Sequence, residues 1–170
     1  QNCHPFVREM WGRHWVFAHN GNLIDFHPEL DGLYSPIGST DSERAFCYIL
    51  QELRRVFEGR TAANPPTPVE INAALKPIAA HVANFGVFNF CLSNGQVMWA
   101  HCSTNLYFIV REHPFTTAHL LDTDVLIDFA DHTTPDDRVA VIATAPLTDN
   151  EVWYKMLKNE SMMFINGHPL

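Results

Sequence analysis

Residues His14 to His19 read His-Trp-Val-Phe-Ala-His, a short apolar run that predicts a buried strand. It stops at Asn20-Gly21-Asn22, a strong turn signal. Residues 27–38 carry Pro28, Gly32, Pro36 and Gly38 and read as loop. Thr40-Asp41-Ser42-Glu43 then has the form of a capping box, with Thr40 at the N-cap and Glu43 three residues on. Phe46, Ile49, Leu50, Leu53, Val56 and Phe57 follow at helical spacing, and Gly59 ends the run. A proline-rich loop leads to a second capping box, Thr67-Pro68-Val69-Glu70. Ile71, Ala74, Leu75, Ile78, Val82 and Phe85 continue this helix to Gly86, and Pro77 predicts a kink in it.

Beyond Gly86 the pattern favours strands. Val87–Leu92 and Gln96–His101 flank Ser93-Asn94-Gly95, a strong hairpin signal. Asn105–Arg111, residues 119–129 and Arg138–Ala145 predict three more strands, and residues 150–165 a last strand or short helix. Strands, two helices and then a run of strands suit an α+β fold with mainly antiparallel pairing. No internal repeat and no linker divides the chain, so residues 1–170 read as one domain.

Composition narrows the function classes. The chain is 46% hydrophobic, which excludes a disordered or fibrous protein. Its net charge is −8, which argues against a nucleic-acid binder. No stretch approaches the roughly 20 apolar residues of a membrane span. With no signal-peptide pattern either, the expected location is cytoplasmic.

The four cysteines form no C-x-x-C pair. Cys47, Cys91 and Cys102 read as small buried residues, while Cys3 stands near the chain start. The ten histidines show no metal-binding spacing, so no metal and no cofactor are expected. A hydrolase whose metal is held by scattered histidines stays as an alternative.

Three segments could carry chemistry: Asn2-Cys3-His4-Pro5-Phe6, Phe17-Ala18-His19-Asn20-Gly21-Asn22-Leu23 and Gly38-Ser39-Thr40-Asp41-Ser42-Glu43. A strand ending in Asn-Gly presents an amide side chain and a backbone N–H at one edge. Held rigidly, two such donors stabilise the oxyanion of a tetrahedral acyl-transfer intermediate. The plain alternative is an ordinary turn, the reading kept for Asn94-Gly95. A carboxylate at a helix start can bind an ammonium group, or it can simply cap the helix.

Taken in order, these segments resemble the class II, N-terminal-nucleophile glutamine amidotransferases, most closely their stand-alone bacterial branch. The marks are His4-Pro5-Phe6, His19-Asn20-Gly21-x-Leu23 and Thr40-Asp41-Ser42-Glu43. Gly86-Val87-Phe88-Asn89, Val141 to Asp149 and the stretch through Trp153 add to them.

The resemblance implies a four-layer α-β-β-α sandwich lacking its first strands. It also implies hydrolysis of a γ-glutamyl amide, usually glutamine, to glutamate and ammonia. By that resemblance Asn20 and Gly21 form the oxyanion hole and Asp41 binds the substrate α-ammonium. His4 has an architectural role, and Thr40 and Glu43 cap the helix. The family nucleophile is an amino-terminal cysteine upstream of His-Pro-Phe, together with a carboxylate-binding arginine. Cys3 lies inside the Asn-x-His-Pro-Phe segment and has no free α-amino group, so it does not fill that role.

The chain is therefore expected to be the carboxy-terminal part of a longer domain, inactive alone. A γ-glutamyl peptide or thiol-conjugate hydrolase and a non-catalytic binding module are the other readings. The expected partners are a γ-glutamyl small molecule and, if ammonia is handed on, an accepting protein. A homodimer is the base-rate expectation.

Overall fold

A computed structural model describes residues 2–121 and 125–170 of the chain. Two α-helices lie on one face of a six-stranded antiparallel sheet, and a smaller sheet lies on the other face.

The large sheet begins with a hairpin of β1 (Phe6–Met10) and β2 (Arg13–Asn20). The sequence pattern missed β1. The residues facing inward along it are Phe6, Arg8 and Met10, and the central arginine breaks the apolar alternation. Its turn also lacks an Asn-Gly signal, because Trp11 (φ 55°) and Gly12 (φ 73°) take the two left-handed positions.

β3 (Asn89–Ser93) pairs with β2 and with β4 (Met98–Cys102), and the predicted Asn94-Gly95 turn joins β3 to β4. β10 (Glu160–Ile165) returns beside β4, and β11 (His168–Pro169) closes the order β1-β2-β3-β4-β10-β11. The expected final strand over 150–165 is thus split into β9 (Tyr154–Lys155) and β10.

The period of two sorts the sheet's side chains onto its faces. Trp15, Phe17, Phe90, Leu92 and Trp99 point to the helices, where Trp15 stacks on Trp99 at 5.6 Å and Phe17 on Phe46 at 5.2 Å. Ala100, Cys102 and Phe164 point the other way, onto Leu106 and Met156. β5 (Tyr107–Glu112), β8 (Arg138–Ala143) and β9 form that second sheet in the order β8-β5-β9. The segment expected as one strand over 119–129 holds a separate hairpin, β6 (Thr117–Leu120) with β7 (Val125–Asp128). Residues 122–124 of that segment lie outside the described residues.

α1 (Asp41–Val56) buries Phe46, Ile49, Leu50 and Leu53, while Val56, expected on the same face, is exposed. α2 (Pro68–Val82) carries the full reciprocal capping box of Thr67 and Glu70. It continues through Pro77 without interruption, because Pro77 and the residue whose carbonyl it frees, Ala73, both face solvent. The described residues supply three of the four expected layers: helices, large sheet and small sheet.

Candidate functional site

β2 ends at Asn20, and the chain turns through Gly21 against the segment that enters β3. The approach is close. A Cβ on Gly21 (φ 157°) would stand 1.9 Å from the Val87 carbonyl oxygen, and one on Gly86 (φ 152°) 2.1 Å from the Asn22 oxygen. Only glycine fits at either position. Leu23 pairs with Gly86, and the Ile24 N–H donates to the Phe85 carbonyl at 2.8 Å.

Asp41, the first residue of α1, fastens the other side of this loop. Its Oδ2 accepts from the Leu23 N–H at 2.6 Å and its Oδ1 from the Ser42 N–H at 2.8 Å. Oδ2 keeps a lone pair for a further donor, while the Ser42 hydroxyl also lies 3.3 Å from Oδ1. The two motifs thus meet across the Leu23–Asp41 hydrogen bond and a second between His19 and Ser42, although Asp41 follows Asn20 by a long proline- and glycine-bearing loop.

The remaining expected residues gather nearby. Thr40 caps α1 by accepting from the Glu43 N–H at 3.1 Å. Glu43 does not return the bond, so the capping box is only half made. Its buried carboxylate instead accepts from the Gly38 N–H at 2.7 Å and pairs with Arg8 of β1 at 2.5 Å. Burial alone would raise the Glu43 pKa, but the Ile37 and Gly38 N–H groups and Arg8 outweigh it and hold the carboxyl below its ordinary value. Asn2 exchanges hydrogen bonds with Ser39, at 3.0 and 3.3 Å, which ties the His-Pro-Phe segment to the residues before α1.

A cleft of about 280 Å³ opens between the sheets beside Asn20. His4, Ala18, His19 and Asn20 line one side, with Asn89 and Cys91 from β3 and Leu106, Ile142 and Thr144 opposite. Asp41 is not among the lining residues and reaches the Asn20–Leu23 loop through the Leu23 N–H. The Asn20 side chain is exposed and has no hydrogen-bond partner among the described residues.

Asn89 was not legible as a site residue. Its Oδ1 accepts from the Ser103 and Thr104 N–H groups at 2.9 and 3.1 Å, and its amide donates to Thr104 Oγ1. It therefore holds the 103–104 turn at the cleft wall.

The cysteines are poorly placed for attack at this cleft. Cys3 is exposed and off the lining, and Cys47 and Cys102 are buried. Cys91 does line the cleft, but burial pushes its thiol up to about 11, and that of Cys47 likewise to about 11. Among the described residues no group of three His, Cys, Asp or Glu side chains is arranged to hold a metal ion. Nor is any helix there long and apolar enough to cross a membrane.

The site thus consists of a mainly antiparallel two-sheet core with an Asn-Gly loop pinned to an aspartate at a helix start. The family model for class-II glutamine amidotransferases matches residues 1–170, and the chain belongs to that family. It is 46% identical over its whole length to a Haemophilus influenzae protein called "Putative glutamine amidotransferase", and spans 56% of that protein. An Escherichia coli K12 protein given the same description is 47% identical over 98% of the chain, which spans 64% of it.

The crystal structure of a "predicted glutamine amidotransferase" from Pseudomonas aeruginosa superposes with a TM-score of 0.84. It is 44% identical, and the match covers 99% of this chain and 64% of that one. A Bacillus subtilis glutamine phosphoribosylpyrophosphate amidotransferase shares the fold at 14% identity, with a TM-score of 0.55 over 99% of this chain and 31% of that one.

Proposed function

We propose that these residues form the oxyanion and ammonium-binding side of a site that hydrolyses a γ-glutamyl amide, glutamine in the first instance, to glutamate and ammonia. The observation that carries this reading is the Asp41–Leu23 hydrogen bond. It ties the Asp41 carboxylate, at the start of α1, to the loop that carries the unpartnered Asn20 amide beside a cleft.

In this reading Asp41 accepts the substrate's α-ammonium. A cysteine thiol from outside these residues attacks the γ-carbonyl carbon. The negative charge that develops on the oxygen is met by the Asn20 side-chain N–H and the Gly21 backbone N–H. Collapse expels ammonia and leaves a thioester, which water hydrolyses to glutamate. The placement of the four cysteines supports an outside nucleophile, and so does the greater length of the relatives.

The test is a chimera of this chain with the remaining sequence of its Haemophilus influenzae relative. It should release ammonia from L-glutamine, and Asn20→Ala should lower kcat by about 10²–10³-fold. The 170-residue chain alone should release none. Turnover by the chain alone, abolished by Cys3→Ala, would overturn the reading.

A further inference from the structure

His19 precedes Asn20 and is buried, although it adjoins the cleft. Its Nε2 lies 2.9 Å from the Val87 carbonyl oxygen and its Nδ1 2.8 Å from Ser42 Oγ. A carbonyl oxygen can only accept, so Nε2 carries the proton. In the neutral ring Nδ1 then accepts from the Ser42 hydroxyl. Val87 is the residue whose carbonyl Gly21 approaches so closely, and Ser42 follows Asp41. One imidazole therefore spans from the backbone behind the Asn20-Gly21 turn to the second residue of α1.

We infer that His19 and Ser42 are positioning residues. Together they lock the Asn20–Leu23 loop and Asp41 in register, through hydrogen bonds from His19 to Val87 and from Ser42 to His19. The inference rests on reading that loop as the oxyanion loop. Both ring nitrogens of His19 are engaged in these bonds rather than free in the cleft. Their effect is to keep two groups on different elements at a constant separation, which catalysis by preorganised donors requires.

The surroundings favour the neutral ring. Phe88 packs against it at 5.0 Å. The titratable groups facing it are Asp41 from α1 and His4 from the segment before β1. Burial lowers the His19 pKa, and the Val87 bond and Asp41 only partly oppose this. Were the ring protonated, Nδ1 would become a donor and Ser42 could no longer donate to it. The Ser42 hydroxyl would be released toward Asp41 Oδ1, 3.3 Å away. The lock and the carboxylate would then be rearranged together.

The test is backbone amide hydrogen exchange on the 170-residue chain without substrate. In His19→Leu, protection at Leu23 and Ile24 should fall at least tenfold while Phe90–Leu92 in β3 keep theirs. His19→Gln, whose amide can still donate to the Val87 carbonyl, should restore most of the Ile24 protection. Ser42→Ala should loosen Leu23 with the global unfolding midpoint little changed. Unchanged protection at Leu23 and Ile24, or a uniform fall that includes β3, would overturn the inference.

In the chimera, His19→Leu should lower kcat with a smaller change in KM, and His19→Gln should recover part of it. A chimera without glutaminase activity would sink the proposed function while the exchange result would still stand.

Discussion

Arg8 and Glu43 illustrate how a residue's apparent role depends on what lies across from it. By spacing, Glu43 completes a capping box. In the fold its carboxylate turns to Arg8, whose position was invisible while β1 was unrecognised. Both side chains are largely covered, so removing one charge strands the other. Glu43→Gln should destabilise the chain by about 3 kcal/mol in urea titrations. Gly21→Ala should cost at least about 2 kcal/mol and disturb the Asn20 loop, because its methyl would overlap the Val87 carbonyl.

His101 should contribute to the response to acid between about pH 6.5 and 4. It is buried in β4, where its Nδ1 meets Ser161 Oγ at 2.8 Å and its Nε2 has no partner among the described residues. Burial lowers its pKa to about 4. The unfolded chain binds this proton more readily than the folded one. The stability held above about pH 6.5 should therefore decline as pH falls from there to about 4, by on the order of 3 kcal/mol. His19 adds to this decline in the same direction. Unfolding midpoints measured across that range should show the slope, and His101→Leu should flatten it.

Among the elements, legibility followed local signals. Both helices announced themselves through capping residues and a 3.6-residue apolar period, and Asn94-Gly95 marked its hairpin. Elements specified by tertiary partners did not. β1 faces inward with an arginine, and its turn uses Trp11 in a left-handed conformation. The β6–β7 hairpin is short, with Val125 and Leu126 exposed, so its apolar pattern does not separate one strand from two. The capping difference between the helices gives a prediction. Thr67→Ala breaks a reciprocal box at α2 and should cost about 1 kcal/mol in urea titrations.

At the scale of the molecule, the motif order pointed to the family, and the architecture and the family match agree with it. Asn20, Gly21 and Asp41 could be singled out from sequence because the resemblance points to them at a turn and a helix start. Their joining by the Asp41–Leu23 bond, the His19–Ser42 lock and the anchoring role of Asn89 could not. Each depends on contacts between segments far apart in sequence. The central claim is that the Asn20–Leu23 loop and the start of α1, joined by the Leu23–Asp41 hydrogen bond, present Asn20 to an oxyanion and Asp41 to an amino acid's ammonium. The most direct measurement is a calorimetric titration of L-glutamine into the chimera, its amino-terminal cysteine replaced by alanine, and into the Asp41→Asn and Asn20→Ala variants of that protein. Asp41→Asn should bind L-glutamine at least tenfold more weakly. Affinity should be nearly unchanged for Asn20→Ala, whose partner forms only in the transition state. Equal affinity of the parent chimera and Asp41→Asn, or no binding by either, would contradict that claim.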